Sequence, residues 1–278
     1  MLVSAQEAKT MYEELGGTFV DCRFDLQDDQ LGFQNYEAFH LPGAIYFHLE
    51  QDLSGPVEKT GGRHPLPDLD SFVHTLKSKG IDDETVLIAY DDNHAFACRF
   101  AWMMKAIGHQ QVYILNGGIK AWRNMEYPFS TEQIEKPAVT SGQNWRFNEN
   151  FIATQDYVRR HIEDDQIALI DSRNYERFIG KVEPIDFKAG HIPSAKNFDW
   201  MNLFKEDGLF KHEDELKTYF RSLEMYEEII VYCGSGVTAA PNVIALWEAG
   251  YDHVKLYVGS FSDWITNEEN EVMTFEEE

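Results

Sequence analysis

The sequence predicts an α/β protein built as two tandem domains, each a mainly parallel sheet flanked by helices on both faces. Three observations carry this reading. A set of landmarks occurs twice, in the same order, along the 278 residues. The short apolar runs at those landmarks are rich in β-branched residues and alternate with helix-like stretches, as parallel strands joined by crossover helices do. A polar stretch at residues 131–150, with Pro137 and Gly142, separates the two sets.

The landmarks run as follows. Phe19-Val20-Asp21-Cys22-Arg23 is an apolar run ending in Asp-x-Arg, and Ile170-Asp171-Ser172-Arg173 repeats it 150 residues later. His40-Leu41-Pro42 returns as His191-Ile192-Pro193, 151 residues on. The strand-like run ending at Tyr90-Asp91 matches the one ending at Tyr232-Cys233, an offset of 142 that also relates Trp122 to Trp264. A helix-like stretch follows each of these runs, at residues 97–107 and 239–249. A period this long marks duplicated domains, not a solenoid of short repeats. The expected division is 1–130, a linker at 131–150, and 151–278, with the tail at 274–278 fraying.

A hydrophobic fraction of 43% is enough for a full core. No apolar run approaches the roughly 20 residues of a membrane helix, so no membrane partner is expected. The first residues, Met1-Leu2-Val3-Ser4-Ala5-Gln6-Glu7, lack the basic region and apolar core of a secretory signal. The expected location is the cytoplasm. A formal charge of −24 argues against nucleic acid, which needs a basic face. An anionic substrate must then be drawn in by local features against an unfavourable mean field. Cys22, Cys98 and Cys233 are odd in number and widely spaced, with no C-x-x-C. That argues against a disulfide framework and a cysteine zinc site. No metal or organic cofactor is expected.

The chemistry concentrates at Cys233. A strand delivers it into Gly234, Ser235, Gly236, Val237 and Thr238, and a helix begins near Thr238 or Ala239. The glycines let the backbone curl so that its N–H groups point inward and form a cradle for negative charge. The helix start adds partial positive charge. Both favour thiolate over thiol and make the sulfur a nucleophile. No Lys or Arg lies between Glu228 and His253, so the loop supplies no cation of its own. Where the second copy has Cys233-Gly234-Ser235, the first has Asp91-Asp92-Asn93, so the first domain lacks the nucleophile. Cys22 and Cys98 lack glycine-rich surroundings and read as packing thiols.

This loop, the Asp-Ser-Arg and His-Ile-Pro-Ser-Ala landmarks and the duplicated layout resemble the tandem-domain sulfurtransferases, the family of rhodanese and 3-mercaptopyruvate sulfurtransferase. The resemblance implies two rhodanese-like domains. It also implies double displacement: the Cys233 thiolate takes sulfane sulfur from a small anionic donor, becomes a persulfide, and yields it to an acceptor. Cyanide, a thiol or a thioredoxin-like protein are the acceptors it implies. Two other classes share part of this pattern. A protein tyrosine phosphatase needs an arginine six positions after its cysteine to clamp phosphate, and that position is Ala239. A non-catalytic rhodanese binding module has no need of Cys233.

Two donors stay open. Thiosulfate-preferring rhodaneses resemble one another in an Arg-Lys pair after the cysteine, whereas Gly234-Ser235 is similar to the mercaptopyruvate enzymes. That likeness implies a proton relay of Ser235 with His64, in Gly62-Arg63-His64-Pro65, and Asp52. Arg177, placed after Asp-Ser-Arg, matches the family's donor-binding arginine, suited to a bidentate grip on carboxylate or sulfonate. Arg63 and Arg99 are further candidates for binding the donor, with Gly234, Gly236, Val237 and Thr238 as the anion cradle. The recurring Asp21–Arg23 and Asp171–Arg173, with His40 and His191, read as architecture because the first domain keeps them too. Trp122 and Trp264 read as core.

Overall fold

The computed structural model describes residues 1–139 and 145–275. Gly142 of the expected linker and residues 276–278 of the expected frayed tail lie outside the described residues. The chain forms two compact units. The first holds Met1–Gly55, Leu66–Asn148 and Asp207–Leu209; the second holds Pro56–Pro65, Glu149–Glu206 and Phe210–Glu278.

The first unit begins with β1 (Leu2–Val3), α1 (Ala5–Leu15), β2 (Thr18–Asp21), α2 (Leu31–Ala38), β3 (Ile45–Tyr46) and α3 (Leu69–Ser78). It continues with β4 (Leu87–Tyr90), α4 (Ala95–Ala106), β5 (Val112–Leu115) and α5 (Gly118–Asn124). All its strand pairs are parallel, in the order β1-β5-β4-β2-β3. β2 and β4 are buried at every position, which is why their sequences read as unbroken apolar runs rather than alternating ones. Phe19, Ile88 and Tyr90 meet Ala8 of α1, Tyr36 of α2 and Trp122 of α5 in one cluster. α4 packs on β4 and β5.

The second unit repeats the plan: β6 (Ile152–Ala153), α6 (Gln155–His161), β7 (Ile167–Asp171), α7 (Tyr175–Phe178) and β8 (Lys196–Asn197). Then follow α8 (Glu213–Phe220), β9 (Glu228–Tyr232), α9 (Ala240–Glu248), β10 (Val254–Tyr257) and α10 (Ser260–Trp264). The order β6-β10-β9-β7-β8 is the first unit's order over again, parallel throughout. Leu169, Ile230, Tyr232 and Tyr257 pack with Val158 of α6 and Phe261 and Trp264 of α10, and α9 packs on β9 and β10.

The repeated landmarks do the same architectural work twice. Arg23 grips Asp21 at 2.7 Å and donates to the Phe39 carbonyl at 2.7 Å. Arg173 grips Asp171 at 2.6 Å and donates to the Gly190 carbonyl at 2.7 Å. Each pair ties a strand end to the loop before a His-x-Pro turn. His40 and His191 each hold a main-chain carbonyl through Nδ1, at 2.7 Å in both units. Trp122 and Trp264 are buried in the two cores.

The structure departs from the expected division in two ways. Residues read as a linker pack on the first unit: Val139 N–H donates to the Lys77 carbonyl, Asn148 N–H donates to that of Ala106, and Trp145 is buried near His109. An apolar indole does not stay in water when a core edge is in reach. Conversely, Pro56–Pro65 leaves the first copy for the second unit. Gly62 makes this possible. Its φ of +79° suits glycine, and a Cβ there would stand 2.3 Å from the Gly259 carbonyl oxygen.

Candidate active site

Cys233 stands directly after β9, between a strand whose core positions are fully buried and a helix that starts at Ala240 with Pro241 in its first turn. The residues between form a loop as expected, and the helix begins one to two positions later than the sequence suggests. Proline suits this place, since it lacks an N–H where the helix has no acceptor for one. The Gly236 N–H donates to Cys233 Sγ at 3.1 Å. Gly236 has φ +77°, and a Cβ there would meet the Val258 carbonyl oxygen at 2.1 Å, so only glycine closes the loop this tightly.

The first unit shows what such a loop holds. Asp91 Oδ1 accepts from the N–H groups of Asn93 at 3.1 Å and His94 at 2.5 Å. Its Oδ2 accepts from Phe96 at 2.8 Å and Ala97 at 3.0 Å. Four backbone donors converge on one carboxylate, the anion cradle of a curled loop. At the offset of 142, His94 with φ +73° stands where Gly236 stands, so the two loops share their left-handed turn. Burial pushes the Asp91 carboxyl up and the His94 imidazole down.

Around Cys233 the second unit gathers side chains from three further segments. His64 Nδ1 lies 2.9 Å from Ser235 Oγ, two buried polar groups 171 residues apart in sequence. Arg63 and Arg177 flank Gly234: a Cβ on that glycine would stand 3.0 Å from Arg63 Nη2 and 3.4 Å from Arg177 Nη2. Arg177 is held by Glu183 through Nη2 at 2.8 Å and by Asp186 at 3.1 Å. Arg63 pairs with the other oxygen of Asp186. Burial pushes the Arg63 guanidinium down, while the negative charge of Cys233 pushes it up and Arg177 pushes it down. Glu183 also accepts from Arg173 at 3.2 Å, which links these arginines to the Asp171 strand end.

Two expected site residues belong to the first unit. Arg99 is fully buried in the first unit, where its Nε and Nη2 donate to the Leu53 carbonyl at 3.3 and 2.9 Å. This buried guanidinium ties α4 to the Leu53 loop. Asp52 also belongs to the first unit. It accepts the His48 N–H at 2.8 Å and pairs with Lys79 at 3.4 Å. Cys22 and Cys98 are buried there, and burial pushes both thiols well up, as suits packing residues.

Sequence reasoning missed Ser260, Glu183 and Asp186. Ser260 Oγ accepts the Cys233 N–H at 3.1 Å and lies 4.0 Å from Sγ. Its φ of +55° is rare for a side-chain-bearing residue, and the first unit has Gly118 at that position with the same φ. The repeat itself held that signal, a serine replacing a glycine at the matching place. Among the described residues no group of three or more His, Cys, Asp or Glu could hold a metal ion, and no helix is long and apolar enough to cross a membrane.

Comparison with known proteins fits this architecture. The rhodanese-like domain family matches residues 4–125 and again 154–267. The chain belongs to the rhodanese family. A Pseudomonas aeruginosa protein named "Probable 3-mercaptopyruvate sulfurtransferase" is 36% identical over 280 residues, covering 98% of both chains. The thiosulfate sulfurtransferase of Cricetulus griseus is 30% identical, covering 83% of this chain and 79% of its own. Among solved structures, Escherichia coli SseA, described as a 3-mercaptopyruvate sulfotransferase, superposes with a TM-score of 0.81 at 31% identity. That match covers 94% of this chain and 98% of SseA.

Proposed function

We propose that this protein is a cytoplasmic sulfurtransferase that moves sulfane sulfur from 3-mercaptopyruvate to a thiophilic acceptor through a persulfide on Cys233. The observation that carries this is the loop: a cysteine replaces a carboxylate in a frame whose duplicate holds negative charge with four backbone N–H groups. By the shared offset, the N–H groups of Ser235, Gly236, Thr238 and Ala239 surround the outer sulfur.

The Cys233 thiolate attacks the donor sulfur, and the carbon–sulfur bond breaks. Its electron pair leaves on carbon as the enolate of pyruvate. The donor's S–H proton passes to that carbon, and Ser235 with His64 is the pair in hydrogen-bond reach of one another for the transfer. The acceptor, a small thiol, a thioredoxin-like protein or cyanide, then attacks the outer sulfur. The sulfur–sulfur bond breaks and its electron pair returns to Cys233. Arg177, its guanidinium fixed by Glu183 and Asp186, holds the donor's acidic group.

Thiosulfate is the second donor reading, favoured by the Cricetulus griseus relative and by an arginine that fits sulfonate as well as carboxylate. Steady-state transfer to cyanide with both donors in parallel separates the two. A higher kcat/KM for 3-mercaptopyruvate is expected, and a higher value for thiosulfate reverses the ranking.

A further inference from the structure

Gly234 is crowded by two guanidinium groups at once, and one carboxylate connects them. Asp186 is 3% exposed and uses both oxygens, Oδ1 toward Arg63 Nη1 and Oδ2 toward Arg177 Nη2 at 3.1 Å. Both arginines also border the flank of the Cys233 loop, with Arg63 Nη2 and Arg177 Nη2 and Nη1 at 3.0, 3.4 and 3.6 Å from where a Cβ of Gly234 would stand. Two like charges this close repel unless an anion lies between them. On the inner side that anion is Asp186, helped by Glu183. The geometry points to Asp186 as a positioning residue that sets Arg63 beside Arg177, so that the pair receives the carboxylate of a 2-keto-acid thiol in preference to inorganic thiosulfate.

This role for Asp186 rests on the sulfur-transfer reading above and gives donor choice a structural basis. In thiosulfate the charged oxygens sit on the atom bonded to the sulfur that moves, two bonds away. In 3-mercaptopyruvate the carboxylate ends a three-carbon chain. With either sulfur at Cys233 Sγ, the keto acid places its negative charge farther from the moving sulfur than thiosulfate does, and the two guanidiniums beside Gly234 are the cations proposed to meet it. The pair is preorganised by its backbone, which is fixed before any donor arrives. The Arg63 N–H donates to Ser262 Oγ at 3.2 Å, the Gly61 N–H to Asp263 Oδ1 at 2.6 Å, and Gly62 presses on the Gly259 carbonyl. A chain of formal charge −24 needs such local cations to hold an anionic donor. The bare flank of Gly234 is part of the device, because a Cβ there would press on Arg63 Nη2 at 3.0 Å and touch Arg177.

The test compares kcat and KM for both donors, with cyanide as acceptor, in the parent, Asp186→Asn, Arg63→Lys, Arg63→Asp and the swap Arg63→Asp with Asp186→Arg. Asp186→Asn is expected to raise KM for 3-mercaptopyruvate about tenfold with kcat within about twofold, and to move the thiosulfate KM less than about threefold. Arg63→Lys keeps the charge but loses the fork, and is expected to give the same split. Arg63→Asp is expected to be the weakest, and the swap to recover about tenfold or more of the lost kcat/KM by returning a guanidinium to the same place. Circular dichroism and thermal melting identify any variant that fails to fold; the remaining variants decide. Equal KM changes for both donors, or no recovery in a folded swap, overturn the inference. If Cys233 still loads with sulfur in that case, the sulfur-transfer reading stands without it. If Cys233 loads from neither donor, both fall.

Discussion

In the first unit a carboxylate sits where the second unit carries a thiol, and four backbone N–H groups hold it. An anion built into the chain fills that cradle permanently. Removing it orphans buried N–H groups, each costing about 1–3 kcal/mol. Asp91→Ala is therefore expected to lower the unfolding free energy by about 2–5 kcal/mol in urea denaturation. A change below about 0.5 kcal/mol would show that the donors find other partners. Cys233 was legible because the repeat aligns it with Asp91 and because two glycines follow it. Arg63 and His64 were only partly legible. Their residue types suit the chemistry, but nothing local says that Pro56–Pro65 packs with the second unit. Asp186 was not legible, since a carboxylate in the polar run Lys181-Val182-Glu183-Pro184-Ile185-Asp186 looks like solvated surface.

The turn between β10 and α10 is where local backbone and chemistry compete. Ser260 holds a left-handed φ of +55° that Gly118 adopts without a side chain in the first unit. Strain of this kind costs on the order of 1 kcal/mol and persists where the side chain is used. Here the hydroxyl binds the Cys233 N–H and lies beside Sγ. Ser260→Ala keeps the strain and loses the hydroxyl, whereas Ser260→Gly loses both. The glycine variant is expected to be more stable than the alanine variant by about 1 kcal/mol in thermal or urea unfolding. Both are expected to turn over more slowly than the parent by a similar factor. Equal stability of the two, or parental kcat in either, contradicts this account of the turn. Strands and their order were the most readable elements, because fully buried parallel strands write themselves as apolar runs. The segment at 131–150 was the least, since its polarity hid the one indole, Trp145, that anchors it.

Across the whole molecule, burial pushes the imidazoles of His94, His109 and His191 below their usual range. Such groups take up protons in the unfolded chain before they do in the folded one. Stability is therefore complete above the unfolded value of about 6.5 and is lost as pH falls from there toward the lower folded values. The formal charge of −24 acts in the other direction, because acidification relieves repulsion. His94→Asn separates the two, as asparagine tolerates a left-handed φ and leaves net charge at neutral pH unchanged. Between pH 7.5 and 5.5 the variant is expected to lose less stability than the parent; an equal loss would remove His94 from the balance.

Sulfur resting on Cys233 is the central step proposed, and intact-protein mass spectrometry reads it directly. After incubation with 3-mercaptopyruvate and removal of donor, the protein is expected to gain the mass of one sulfur atom, mapped to the peptide containing Cys233. Cyanide should discharge it, and Cys233→Ser should never acquire it. A parent protein that turns over donor with no added sulfur, or a Cys233→Ser variant that still transfers it, would contradict the persulfide and the role assigned to the loop around it.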